Sequence, residues 1–290
     1  MSAWPGLEEG NTIAQCQSAS PLEPLETRML LMYALGLSRV QLITQSEKTL
    51  DAKQSQQLSA LIFRRINGEP MAYILGEREF FGLNFYVTPD VLIPRPDTEL
   101  LVELALRYAP PASQLLDLGT GSGAIAIAIA HQRSDLQVTA IDVSLAALSI
   151  AAKNAARHLP SDRITLIQSD WVSALSDQKF STIVSNPPYI VKDDQHLNQG
   201  DLRFEPIDAL TDHADGLSAY RQIISGAKKH LCSAGWLLME HGYDQSEAVQ
   251  ELLMSHGFIG VQSWPDLAGI LRVSGGRLNE LLVPQIISAS

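Results

Sequence analysis

Four consecutive residues, Asn186-Pro187-Pro188-Tyr189, carry the most distinctive chemistry in the chain. Two prolines in a row remove two backbone donors and fix φ, and Pro187 keeps Asn186 out of the helical region. The stiffened loop displays carbonyl acceptors, a side-chain amide and an aromatic face. A planar amide or amino nitrogen is a poor nucleophile because its lone pair is delocalised. Two acceptors gripping its N–H bonds, the Asn186 side-chain oxygen and the Pro187 carbonyl, would orient it and favour pyramidalisation, with Tyr189 packed on the flat group. The lone pair then points at a methyl carbon. Positioning supplies rate without a strong general base, because the product nitrogen sheds its proton readily. The bland alternative is a plain Pro-Pro turn.

A second set lies upstream. Leu116-Asp117-Leu118-Gly119-Thr120-Gly121-Ser122-Gly123 joins an apolar strand to an Ala- and Ile-rich helix. Glycines permit positive φ and let backbone N–H groups approach a ligand, and the helix N-terminus behind them adds partial positive charge. Asp142 closes the next strand, where a carboxylate can accept from both ribose hydroxyls of an adenosine. Gly119, Gly121 and Ala124 also satisfy the dinucleotide fingerprint with its permitted final Ala, and Asp142 lies at a suitable distance for NAD. The loop alone reads as nucleotide-binding with NAD open, against a merely tight β–α turn. Asp117 tips the reading. An acid two residues before the first glycine suits a cofactor with an amino-acid tail and a sulfonium cation, not a pyrophosphate.

These motifs need elements to position them. Strands are predicted over residues 115–118, 138–141, 164–168, 182–185 and 236–240, alternating with helices over 124–132, 145–158, 218–231 and 245–256. The alternation implies an α/β domain with a mostly parallel sheet covered on both faces. Open sheets of this kind bind ligands at the carboxyl ends of their strands, where both motifs fall. Upstream, Leu25, Met29, Met32, Tyr33 and Gly36 share one helical face, with Gly36 placed to end the helix. Asp51 is positioned to cap a helix carrying Leu58, Leu61, Ile62 and Arg65 on one side. Residues 1–78 therefore read as a small helical bundle, opening on a loose leader over about residues 1–11. Phe80, Phe81, Phe85, Tyr86 and Val87 around Gly82 predict a β-hairpin or an extended linker. Pro89, Pro94 and Pro96 stiffen the segment beyond it, so residues 79–96 read as a hairpin linker to a domain over 97–290. Asp97 or Thr98 is placed to cap a helix with Leu101, Leu104, Ala105 and Tyr108 inward.

The 290 residues are 46% apolar and 18% charged, with a formal net charge of −11, which suits a globular protein with a sizeable core. Residues 1–79 hold nine acidic and seven basic side chains, and the remainder 23 and 14. A field of that sign repels free nucleic acid. Cys16 and Cys232 stand apart from any Cys/His cluster, so no metal is expected and a reducing cytosol fits. Glu8 and Glu9 stand where a secretory leader would be basic. The longest apolar run, around residues 124–130, is too short to span a bilayer. A cytoplasmic monomer without membrane association is expected.

Both motifs together resemble class I methyltransferases that act on planar nitrogens. Asn84-Phe85-Tyr86-Val87, and Val91-Leu92-Ile93-Pro94-Arg95-Pro96-Asp97-Thr98-Glu99, are similar to the HemK/PrmC family of release factor glutamine methyltransferases. So are Gln168-Ser169-Asp170-Trp171, Arg203-Phe204-Glu205-Pro206, and Asp266-Leu267-Ala268-Gly269 with Arg272. The resemblance implies a helical N-terminal domain, a hairpin linker and a Rossmann-like domain whose last strand runs antiparallel. It implies S-adenosyl-L-methionine contacts at Gly119, Thr120, Gly121, Ser122, Gly123, Asp142, Trp171 and Asn186. Substrate contacts are implied at Asn186, Pro187, Pro188 and Tyr189, with Asn186, Pro187 and Tyr189 catalytic. The implied partner is a peptide chain release factor, methylated on the glutamine of its Gly-Gly-Gln motif. Trp171 suits an adenine neighbour, although a core tryptophan is the plain alternative. A nucleic-acid methyltransferase acting on exocyclic amino groups is the nearest rival. An NAD-dependent dehydrogenase leaves Asn-Pro-Pro-Tyr unexplained, and a silent binding module has little use for the full set.

Overall fold

The computed structural model describes residues 8–279, which form two compact units meeting in sequence at Gly76 and Glu77. Of the leader expected over residues 1–11, residues 1–7 lie outside the described part. Its end is not loose: the Gly10 N–H donates to the Leu50 carbonyl at 3.0 Å and the Leu50 N–H to the Asn11 carbonyl at 2.9 Å.

The first unit contains helices Ile13–Ala19, Pro24–Leu35, Arg39–Thr44, Ala52–Ile66 and Met71–Leu75. Three of them open on one device. Thr12, Ser38 and Asp51 each accept a backbone N–H from three residues on, while Gln15, Gln41 and Gln54 reach back to the cap's own N–H, so two orphan donors are satisfied at each start. Leu58, Leu61 and Ile62 face the core as expected. The face expected for the second helix is wrong. Leu25 is 61% and Tyr33 50% exposed, while Thr27, Leu30 and Leu31 are buried. Apolar residues run almost all round this helix, so its periodicity cannot select a side.

The second unit begins with a hairpin, β1 (Glu77–Phe80) and β2 (Leu83–Tyr86). Its sheet comprises β3 (Gln114–Leu118), β4 (Gln137–Asp142), β5 (Ile164–Gln168), β6 (Phe180–Ser185), β7 (Leu231–Glu240), β8 (Phe258–Pro265) and β9 (Leu271–Leu278). The strand order is β5-β4-β3-β6-β7-β9-β8. Strands β3 to β7 pair in parallel, and β9 runs against both β7 and β8. The order reverses beside β3, with β4 on one side and β6 on the other, which is where open sheets leave a ligand crevice. Helix Ala124–Gln132 keeps residues 124–130 buried on every side, so it is packed all round rather than amphipathic.

Register places the motifs side by side. Leu118 pairs with Ile141 and Ser185, and Ser185 with Met239. The next residue on each strand is Asp142, Gly119, Asn186 or Glu240. These four stand in one row at the carboxyl ends of neighbouring strands, roughly 4.8 Å apart.

The hairpin is part of the second unit, not a separate linker. Phe80 and Phe85 are 1% and 0% exposed and join the core that holds Leu101 and Ile127. Asn154, fully buried, completes the attachment. Its Oδ1 accepts from the Tyr86 N–H at 2.7 Å, and its Nδ2 donates to the carbonyls of Tyr86 at 3.0 Å and Ser122 at 2.8 Å. Neither Asp97 nor Thr98 caps the following helix Glu99–Tyr108. A 3-10 turn, Pro96–Thr98, leads into it without a side-chain cap, because the Thr98 hydroxyl is engaged elsewhere. Asn154→Ala strands the Ser122 carbonyl in the interior and removes the partner of the half-buried Tyr86 N–H and carbonyl, so urea unfolding should show a loss of about 1–3 kcal/mol.

Candidate active site

The ends of β3, β4 and β6 open into a cavity of ≈ 330 Å³ whose wall includes Gly119, Gly121, Asp142, Trp171, Asn186 and Pro188. That size suits a small-molecule ligand. Gly119 and Gly121 adopt φ of +75° and +55°, open to glycine without strain. The Gly119 and Thr120 N–H groups both donate to the Ile141 carbonyl, at 2.9 and 2.8 Å. The Gly121 N–H donates to Asp142 Oδ2 at 2.8 Å, and the Ser144 N–H to Oδ1 at 2.9 Å. Asp142 thus bridges the glycine loop to the next helix start, and each of its oxygens keeps capacity for another donor. Burial raises its pKa, opposed by these backbone donors.

Trp171 lies over the loop, and a Cβ on Gly119 would come within 3.9 Å of the indole. Its own φ is +46°, a conformation disfavoured for a bulky residue and held here by the surrounding packing. The opposite wall comes from two distant segments, Asp90, Val91 and Leu92 on one and Pro206, Asp208 and Ala209 on the other. Glu205, whose side chain is wholly buried, clasps them: it accepts from the Ile93 N–H at 3.0 Å and pairs with the Arg95 guanidinium.

The charged residues on the cavity wall are all acidic. Asp90, Asp142, Asp170 and Asp208 line it. Beneath the glycine loop, Asp117 Oδ1 is a buried oxygen without a hydrogen-bond partner among the described residues. Such a wall fits a ligand that brings hydroxyls and positive charge, and it opposes a pyrophosphate.

Residues 96–201 match the Methyltransferase small domain family and residues 11–76 the PrmC N-terminal domain. The release factor glutamine methyltransferase of Burkholderia pseudomallei is 52% identical over 276 residues, covering 92% of this chain and 96% of that protein. The Escherichia coli enzyme of the same name is 45% identical, covering 91% and 95%. The chain belongs to the release factor glutamine methyltransferase family. A methyltransferase from Pyrococcus furiosus, 18% identical, superposes with a TM-score of 0.53 over 76% of this chain and 99% of that one, which is a likeness of fold.

In this family member the expected site residues divide by position. Gly119, Gly121, Asp142, Trp171, Asn186 and Pro188 line the cavity. Thr120, Ser122 and Gly123 build the loop from behind. Thr120 Oγ1 donates to Asp117 at 2.6 Å, the Ser122 carbonyl holds Asn154, and a Cβ on Gly123 would lie 2.7 Å from Ile127 Cδ1. Pro187 is buried. Tyr189 packs against the core, its carbonyl accepting from Gln245 Nε2 at 3.0 Å, and burial pushes its hydroxyl pKa up. Asp117, whose spacing to the first glycine tipped the reading of the loop, is 0% exposed and holds the Thr120 hydroxyl.

Sequence reasoning missed the Asp90 and Asp208 walls, and it missed Thr98 and Glu240. The Asn186 Nδ2 donates to Thr98 Oγ1 at 3.2 Å, and Glu240 is a 2% exposed acid at the end of β7. Glu240 closes an apolar strand just as Asp142 does, which was a usable signal.

Burial pushes both Asp117 and Glu240 up to about 7. Between about pH 4.5 and 7 the native state therefore holds protons that the unfolded chain has released. Stability contributed by these acids is greatest below their unfolded pKa values and falls as pH rises towards 7. Asp117→Asn keeps an acceptor for Thr120 without the titration. Denaturant unfolding should show wild type losing stability relative to this variant by roughly 1.4 kcal/mol per pH unit across that window.

Proposed function

We propose that this protein transfers a methyl group from S-adenosylmethionine to the N5 side-chain amide nitrogen of the glutamine in the Gly-Gly-Gln motif of peptide chain release factors. One observation carries the reading: Asn186 lines the same cavity as the glycine loop and Asp142. An amide-gripping acceptor therefore stands beside a nucleoside-binding wall. When bound, the cofactor supplies a methyl carbon made electrophilic by its sulfonium. Asp142 accepts the ribose hydroxyls on the free lone pairs of an already anchored carboxylate, and Trp171 offers a flat wall to the adenine. Asn186 Oδ1 and the Pro187 carbonyl accept the two N–H bonds of the substrate amide. The consecutive prolines hold both acceptors still, so the nitrogen lone pair is kept on line rather than in conjugation. No residue is needed as a strong base, because the methylated nitrogen releases its proton to solvent.

Incubation of purified release factor with isotope-labelled cofactor, followed by peptide mass spectrometry, tests the reading. One labelled methyl should appear on the motif glutamine. Asn186→Ala should lower turnover by a factor of about a hundred. Asn186→Asp keeps an oxygen acceptor and should retain more activity than Ala. Label appearing elsewhere, or near-normal turnover in Asn186→Ala, contradicts the mechanism.

A free glutamine carries the same amide, so Asn186 to Tyr189 cannot select a release factor. We assign that selection to the helical unit, which matches the PrmC N-terminal domain and exposes Val40, Ile43 and Phe63 by more than 60% each. The enzyme is read as a cytoplasmic monomer, with a protein substrate and no direct nucleic-acid partner. Among the described residues no helix is long and apolar enough to cross a membrane. Removing residues 1–76 should leave affinity for the cofactor, measured by calorimetry, nearly intact. Methylation of whole release factor should fall much further than that of a short Gly-Gly-Gln peptide. Equal losses on both would leave docking by this unit without support.

A further inference from the structure

We infer that Glu240 and Thr98 are positioning residues that lock the Asn186 side-chain amide with its oxygen towards the substrate. A side-chain amide is nearly symmetrical in shape, but only its oxygen can accept the N–H of a substrate amide. The wrong flip would offer two more donors and grip nothing. Something behind Asn186 must therefore decide which way it points.

The surroundings of Asn186 make that decision. Its Nδ2 carries two hydrogens, and one is taken by Thr98 Oγ1 at 3.2 Å. Thr98 is buried, so its own hydroxyl hydrogen needs an acceptor inside the protein. The Thr98 hydroxyl and the Asn186 amide are both hydrogen-bonding neighbours of the Glu240 carboxylate. Thr98 can thus accept from Asn186 and donate to Glu240, whose carboxylate is also close to the Asn186 amide. Each of these donors then has a hydroxyl or carboxylate oxygen near it. Once Glu240 is ionised, a reversed amide would set Oδ1 against a carboxylate with only lone pairs to offer.

Glu240 is placed for this task by the sheet. It comes directly after Met239, which pairs with Ser185, so Glu240 ends β7 beside the position of Asn186. The Tyr220 hydroxyl donates to its backbone carbonyl at 2.9 Å, and Val273 of β9 flanks it on the other side. Its Oε2 is buried without a hydrogen-bond partner among the described residues. A buried acid with an oxygen unsatisfied is a poor device for stability alone. Thr98 arrives from the turn Pro96–Thr98, next to Asp97, which pairs with Arg272 at 3.6 Å.

The inference rests on amide methylation as the reaction, so wild type is assayed alongside each variant on a Gly-Gly-Gln peptide. Glu240→Gln keeps the shape but can present an NH2 group, which removes the discrimination. Its kcat should fall about tenfold, with KM for peptide within about twofold. Binding of S-adenosylhomocysteine by calorimetry and the melting temperature should both stay near wild type. Thr98→Val should show the same split, and Thr98→Ser should restore near-normal kcat. Because both residues act through Asn186, the double variant Glu240→Gln/Thr98→Val should lose less than the product of the single losses. Unchanged kcat in Glu240→Gln overturns the inference. So does a parallel loss of cofactor affinity, melting temperature and kcat, which marks a structural role. If Glu240→Gln does not fold, the Thr98 pair decides: equal kcat in Thr98→Val and Thr98→Ser also overturns it. Wild type that leaves the peptide unlabelled counts against amide methylation itself.

Discussion

Parallel strands held in register carry the residues beyond their last pairs to one edge, at a spacing set by backbone hydrogen bonds. Here the row after Ile141, Leu118, Ser185 and Met239 consists of Asp142, Gly119, Asn186 and Glu240. An anchored carboxylate, a glycine that leaves room, an amide and a buried acid therefore stand in line across four strands. No loop has to be ordered to bring them together. A slip of one residue in any of these pairings would turn its group to the other face. The apolar bodies of the strands prevent such a slip, since Leu116, Leu118, Ile183 and Leu237 are wholly buried. Packing energy remote from the cavity thus maintains its geometry.

The second dependence is on contacts between segments far apart in sequence. The hairpin joins the core through Phe80 and Phe85 and holds the glycine loop through Asn154. The Ile-Pro-Arg-Pro string and the Arg-Phe-Glu-Pro string are the two halves of one clasp, closed by Glu205 on Ile93 and Arg95. Losing Arg95, itself a third exposed, would leave the wholly buried Glu205 carboxylate without its cation. That explains why strings without nucleophiles or bases accompany the catalytic motifs. They hold the far wall of the cavity, where Asp90 and Asp208 lie.

Legibility in the sequence followed these same lines. Strand ends announce themselves, because an apolar run that stops at Asp142 or at Asn186 marks the register row without any coordinates. Helices Ala124–Gln132 and Leu145–His158 were readable to the residue, because glycine and serine starts bracket them. The far wall was not readable. Residues on loops show no period, and the Ile93–Glu205 contact spans 112 positions. Helix Pro24–Leu35 showed its length but hid its buried face, since nearly every side chain on it is apolar. Asp117 was legible as an acid two residues before the first glycine, but its bond to the Thr120 hydroxyl was not. Thr98 looked like a helix cap by residue type. Only the structure shows Asn186 competing for its hydroxyl.

The charge around the cavity constrains where catalysis can come from. Asp90, Asp142, Asp170 and Asp208 favour a positively charged ligand in the cavity. Methyl transfer to a neutral amide disperses that charge in the transition state, so acids near the cation stabilise the starting complex at least as well. Interactions that are stronger before the barrier than on it give affinity and no rate. The acceleration must then arise at the nucleophile, where an acceptor on each N–H bond strengthens as the nitrogen pyramidalises and its hydrogens become more acidic. On the proposed reading, Asn186 and the backbone of its loop supply these acceptors. On that reading a cavity acidic on the cofactor side and rigid on the amide side separates binding from catalysis, with β3 and β4 assigned to the first and β6 and β7 to the second.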